Sequence, residues 1–408
     1  MSRIIKPVTA LLFGVLVFYM NIEAQQITSS KTMEAMVLAN KYFMEKWPDV
    51  GKVIVTERSR PSNIWTRAVY YEGLMALYKL NPDQQYLDYA LSWGEFHKWG
   101  LRDGIKTRNG DNQACGQTYI DLYILDRYKE DRIKQIRACI DTMIATDKID
   151  DWNWIDAMQM AMPVFARLGN IYDDEKYFDR MHEMYLYTKL KHGDNGLYNP
   201  EEHLWWRDKD FDPPYKEPNG ANCYWSRGNG WVVAALVRTL EFLPKNSNYR
   251  KEYETTLKEM LEALVPLQRE DGYWNVSLMD PTNFGGKELT GTALFTYGMA
   301  WGIKEGLISK KDYLPVVTKA WNAMVNECVH PNGFLGYVQG TGKEPKDSQP
   351  VGYDKVPDFE DFGLGCFMLA GSEMYELLKS MEPKEKVKKV KEEKPAKESK
   401  AKKNSKKK

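Results

Sequence analysis

Cysteine and histidine are scarce in this chain of 408 residues, with five of each. Cys115, Cys139, Cys223, Cys328 and Cys366 lie far apart. That spacing is neither a metal-ligand set nor a dense disulfide framework, so small buried thiols are expected, with room for one bridge. The scattered histidines add no metal signal, and neither metal nor cofactor is expected. After the N-terminus there is no apolar run long enough to cross a bilayer, and no stable membrane anchor is expected. Charge of one sign is also missing. Lysine plus arginine equal aspartate plus glutamate at 57 each, and the lysines are concentrated in a C-terminal tail. The rest is therefore acidic and no nucleic-acid partner is expected.

The chain opens with Arg3 and Lys6, an apolar run Val8–Tyr19 and Ala24 before Gln25. This reads as a secretory signal peptide over 1–24, giving an exported protein of the bacterial periplasm. From Pro383 the sequence is Lys, Glu, Ala and Ser, and 383–408 reads as a disordered tail. Between them, 25–382 contains no Pro/Ser/Gly-rich linker, which favours one large domain.

Alternating strand patterns are almost absent. Helical apolar spacing recurs over Lys31–Trp47, Thr66–Leu80, Gln85–Lys98, Cys115–Tyr128, Arg132–Thr146, Trp154–Leu168, Glu175–Leu190, Trp231–Leu243, Tyr249–Leu267, Thr290–Glu305, Tyr313–Val329 and Gly363–Leu378. About twelve helices in hairpins with one loop-rich end predict an all-α (α/α)6 barrel; an elongated helical repeat is the competing architecture.

Trp225-Ser226-Arg227-Gly228-Asn229-Gly230-Trp231 runs into one of these helices. The glycines permit a tight turn or close approach to a ligand. Two indoles bracket a guanidinium able to fork onto a carboxylate, and the helix N-terminus favours an anion. The segment reads either as a sugar-acid clamp or as a structural turn with core tryptophans. Two carboxylates stand out by context. Asp156 lies in a nearly uncharged aromatic and Met-rich stretch, Trp152–Pro163, whose apolarity would raise its pKa as a general acid requires, or it caps a helix. Asp111, in Asn109–Gln117, precedes a helix and could simply cap it.

These segments, with Glu288-Leu289-Thr290-Gly291-Thr292-Ala293 and Tyr297-Gly298-Met299-Ala300-Trp301-Gly302, resemble glycoside hydrolase family 105, the unsaturated rhamnogalacturonyl hydrolases. The resemblance runs from about Lys31 to Leu378 in the family's order and implies an (α/α)6 barrel without a cofactor. It also implies hydration of the C4=C5 vinyl ether of an unsaturated uronic acid at the end of a lyase-generated, pectin-type oligosaccharide. By the resemblance Asp156 is the general acid and base, and Asp111 is the second acid. Arg227, flanked by Trp225 and Trp231, would hold the uronate. Trp65, Gln117, Glu288 and Thr290 are candidates for the pocket wall, each of which could equally be packing or capping. Where many relatives carry a histidine, this chain has His203-Leu204-Trp205-Trp206-Arg207-Asp208, and either His203 or Trp205 aligns there. Trp205 belongs either to a substrate subsite or to an aromatic loop on the rim. The alternatives are an unsaturated glucuronyl hydrolase acting on another acidic glycan, a non-catalytic glycan-binding barrel, and a helical interaction scaffold.

Overall fold

A computed structural model describes residues 27–55, 59–126, 129–355 and 361–383. The signal peptide expected at 1–24 and the tail beyond Pro383 lie outside the described residues. Thirteen α-helices occur among the described residues: α1 (Ser29–Lys46), α2 (Trp65–Leu80), α3 (Gln84–Phe96), α4 (Gly110–Gln113), α5 (Cys115–Leu125), α6 (Lys134–Ile144), α7 (Asp156–Tyr172), α8 (Glu175–Leu190), α9 (Ser226–Leu240), α10 (Arg250–Leu264), α11 (Leu289–Lys304), α12 (Lys310–Glu327) and α13 (Asp361–Met381). Two antiparallel two-residue ribbons accompany them, β1 (Ile54–Val55) with β2 (Ser59–Arg60) and β3 (Tyr198–Asn199) with β4 (Leu204–Trp205).

Six helices close a ring in which each packs on the next: α2, α5, α7, α9, α11, α13 and back to α2. The other long helices form an outer layer, α1 against α13, α8 against α7, α10 against α9 and α12 against α11. This is the (α/α)6 barrel expected from the sequence, and burial explains the sorting. Every residue of α9 is buried, as is all of α11 except Lys304, so these helices need apolar or paired residues on every side. An outer helix such as α6 buries only the stripe Ile136, Cys139, Ile140 and Met143, at helical spacing.

Close approach inside the ring depends on glycine at one crossing. A Cβ on Gly365 of α13 would stand 2.2 Å from the Val69 carbonyl oxygen of α2, and one on Gly73 would stand 2.7 Å from the Gly365 carbonyl oxygen. No larger residue fits without separating the helices. In α7, Pro163 has no N–H to offer the carbonyl four residues back. That carbonyl, on Gln159, accepts instead from Gln117 Nε2 of α5 at 2.7 Å.

An outer helix connects each inner helix to the next, so the inner helices point the same way. Their N-terminal ends form one rim, with Trp65, Asp156, Ser226, Leu289 and Asp361 as first residues and α4 leading into α5. The rim gathers positive helix-dipole ends and the opposite end gathers negative ones. No helix among the described residues is long and apolar enough to cross a membrane.

Candidate active site

Two carboxylates meet on the N-terminal rim because α4 packs against the start of α7. A Cβ on Gly110 would lie 3.1 Å from the Ala157 carbonyl oxygen, which brings Asp111 and Asp156, each next to one of these residues, within range of each other's charge. Capping does not occupy Asp111. The cap of α4 is Asn109, whose Oδ1 accepts from the Asp111 N–H at 2.8 Å. Burial and then the negative charge of Asp156 push Asp111 up to about 6, against the opposing charges of Arg207, Arg102 and Arg60.

The surroundings of Asp156 differ from those its sequence context suggests. Trp152 and the methionines of α7 turn into the core, with Trp152 edge-on to Phe165. The group facing Asp156 is a cation: Arg207 Nε donates to its Oδ2 at 3.1 Å and Arg207 Nη1 donates to Asp208 Oδ2 at 2.6 Å. The backbone carbonyl of Arg207 also accepts from the Ile155 N–H at 3.0 Å, tying the start of α7 to the same loop. The apolar general-acid pocket expected around Asp156 is thus replaced by an ion pair. The carboxyl raised towards neutrality is Asp111.

Arg227 is corrected as the uronate clamp. Its side chain is 1% exposed, and Nη1 and Nη2 donate to the carbonyls of Gln339 and Gly340 at 2.7 and 2.6 Å. It stacks on Trp225 at 4.4 Å and lies over Phe362 at 5.0 Å. Trp225 is buried with its indole N–H on Gln339 Oε1 at 3.0 Å, and Trp231 is buried as well, so neither covers a sugar face. Instead of forming a loop before the helix, residues 226–231 are the first turns of α9. The glycines serve packing, since a Cβ on Gly230 would lie 2.9 Å from Leu294.

The motif still acts on the site, through Asn229. Its amide accepts from the Trp205 N–H at 2.9 Å and donates to the Trp205 carbonyl at 3.0 Å. That pins β4 two residues before Arg207. Trp205 itself is buried, with its indole N–H on the Met260 sulfur at 3.2 Å, and is packing, not a subsite. His203 adopts a left-handed backbone and contacts Tyr198 Oη at 3.0 Å, away from the acid pair.

The remaining wall candidates divide. Trp65, partly exposed at the start of α2, stands edge-on to Trp231 at 6.3 Å and against Phe362 at 5.3 Å, so it can present a face at the rim. Glu288 is the N-cap of α11, accepting from the N–H groups of Thr290 and Gly291, and the Thr290 hydroxyl is bound to it. Gln117 lies inside the ring, bonded to the Gln159 carbonyl and to Arg238. These three belong to the frame. Arg207 follows Trp205 and Trp206 with no sequence mark of a part in the chemistry, and Arg60 and Arg102 carry no signal at all. The five cysteines are free and buried, and no group of three or more His, Cys, Asp or Glu able to hold a metal occurs among the described residues.

A closed double ring of helices with a carboxyl pair on the loop-rich rim fits a glycoside hydrolase of the (α/α)6 class. The chain belongs to Glycosyl Hydrolase Family 88, whose sequence profile matches residues 35–378. It is similar to an unsaturated 3S-rhamnoglycuronyl hydrolase from Formosa agariphila, at 31% identity over 77% of this chain and 84% of that protein. Among solved structures it resembles a family 88 glycosyl hydrolase from Bacteroides vulgatus, at 32% identity over 86% of this chain and all of the other, with a TM-score of 0.77. It also resembles one described as a polysaccharide lyase, at 31% identity over 87% of this chain and 99% of that one, with a TM-score of 0.79.

Proposed function

We propose that the protein, within the family 105 type of unsaturated uronyl hydrolases, removes a terminal 4,5-unsaturated uronic acid from lyase-generated oligosaccharides in which rhamnose is the next sugar. The observation carrying the chemistry is the Asp111–Asp156 pair with Arg207 against it: two acids, one raised to about 6, beside one guanidinium. A rhamnoglycuronyl substrate agrees with the names of two relatives at 31% and 30% identity. A relative at 23% is named for rhamnogalacturonyl substrates, the pectin-type alternative.

At this rim a uronate carboxylate meets positive helix ends and Arg207. With Asp111 raised to about 6 by burial and by the charge of Asp156, the two carboxyls titrate as a coupled pair that serves as one proton store. Asp156 protonates C4 and the cation develops at C5. Water adds to C5 and returns its proton to the carboxylate. The hemiketal then opens and releases the next sugar. Because bond loss follows hydration, the separation of the two acids does not set retention or inversion as it would in a direct displacement. Export to the periplasm is proposed from the N-terminal segment alone.

Incubation of the purified protein with unsaturated uronyl-rhamnose oligosaccharides tests the reaction. The ultraviolet absorbance of the conjugated double bond should fall as rhamnose-ended product appears. A rise in absorbance on intact polysaccharide would mean lyase chemistry instead, and saturable binding with constant absorbance would mean a glycan-binding barrel.

A further inference from the structure

At the end of the barrel opposite the acid pair lies a cavity of about 600 Å3, lined by the middles and C-terminal ends of the inner helices. Met75, Ile124, Leu125 and Phe242 give it an apolar side. Its buried charges are matched by partners of opposite sign. Arg167 donates to Asp121 at 2.6 Å, Arg238 stands 3.5 Å from Glu72, and Lys304 donates to both Glu373 and Glu376. Glu241 and Lys79 are exposed at the mouth, where water and salt screen them. Burial also raises Glu72 and Glu373 to about 7, which removes part of the negative charge that remains.

Matched charge does not complete the hydrogen bonding. Glu72, Arg167 and Arg238 are each more than nine-tenths buried, yet Glu72 Oε1, Arg167 Nε and Arg238 Nη2 have no hydrogen-bond partner among the described residues. The carboxylate oxygen accepts, whereas the two guanidinium atoms donate. Tyr297 adds to the same lining a phenol hydroxyl that can do either. Buried polar atoms left without partners cost free energy, which a bound group able both to donate and to accept would recover.

We propose that this cavity is a second binding site, for a neutral hydroxylated ring with an apolar face, the chemistry of a monosaccharide. One hydroxyl donates to Glu72 Oε1, and hydroxyl oxygens accept from Arg167 Nε and Arg238 Nη2. An ammonium ion could not accept from the two arginines and a carboxylate could not donate to Glu72. Either would also bring an unmatched charge among groups that are already paired. The C–H face of the ring covers Met75, Ile124 and Phe242. The site is separate from the acid pair but shares α7 with it, since Gln159, one turn after Asp156, donates to Glu72 at 2.9 Å.

Titration of the whole protein with rhamnose, followed by ligand-observed NMR, tests this. Rhamnose should bind saturably. Glucose should displace it at least about tenfold more effectively than glucuronate or glucosamine, which carry a charge on the same ring. Ala76→Phe, which fills the cavity, and Leu125→Trp, at a lining position 52% exposed where a larger ring is tolerated, should each abolish binding. Asp156→Asn, at the other rim, should leave it unchanged. Absence of saturable binding, the result for a cavity that holds water alone, would overturn the proposal. So would charged sugars that displace rhamnose as well as glucose does, binding undiminished in Leu125→Trp, or binding lost in Asp156→Asn.

Discussion

Arg207 and Asp156 form the central contact of the rim, Nε to Oδ2 at 3.1 Å, with Asp208 holding the other side of the guanidinium. Asn229 places this pair at a distance by clamping Trp205, two residues before Arg207. The loop after β4 and the start of α7 are therefore tied together, by this ion pair and by the Ile155 N–H on the Arg207 carbonyl.

Replacing Arg207 by alanine removes both the counter-charge of Asp156 and the cation offered to a uronate. We expect kcat/KM on unsaturated oligosaccharides to fall about 100-fold, and Arg207→Lys to recover only part, because lysine lacks the planar fork. Activity within threefold of the native protein would remove Arg207 from the mechanism.

Asp111 makes a prediction in pH. A carboxyl whose folded pKa is about 6, above the ordinary value of 3.8, binds a proton more tightly folded than unfolded. Stability is therefore greatest below the unfolded value and declines as pH rises between the two. Asp111→Asn should be stabilising by about 1 kcal/mol near neutral pH, after discounting for solvent, with the gain vanishing near pH 4 in denaturant titrations. In the native enzyme kcat/KM should fall as pH climbs through about 6, and Asp111→Asn should lose that limb.

Arg227 should behave as a frame residue. Arg227→Met leaves the Gln339 and Gly340 carbonyls buried without their donors, and we expect a loss of about 2–4 kcal/mol in chemical denaturation. The folded fraction should keep a KM within a few-fold of native. A large rise in KM at unchanged stability would restore the sequence-based assignment of Arg227 as the clamp.

Gly365→Ala tests the ring closure. Its Cβ would meet the α2 backbone at 2.2 Å, where no flexible side chain can yield. Overpacking of this kind costs about 1–3 kcal/mol or more, so the melting temperature should drop by several degrees. An unchanged melting temperature would show that α2 and α13 can separate at no cost.

The twelve long helices were legible because each carries its own periodic pattern. The acid pair was legible as candidates, Asp111 and Asp156, through local context and resemblance. What escaped was how they are placed. Trp152–Pro163 looked like an apolar pocket for an acid, but those apolar side chains face the core and the carboxylate faces Arg207. The Trp225–Trp231 motif looked like the clamp, yet Arg227 points into the barrel frame and Asn229 acts on the site through β4.

The sequence by itself determined the twelve long helices and marked Asp111 and Asp156 as candidates, since periodicity and composition are local and survive without knowledge of neighbours. Only the tertiary structure decided which guanidinium faces Asp156, which carboxyl is raised towards neutrality and which aromatic reaches the rim. Those depend on charges and carbonyls brought together from distant segments: Asp111 is set by residues 60, 102, 156 and 207, and Arg227 by 339 and 340. Electrostatic surroundings are a property of that assembly, and no single stretch of chain contains them.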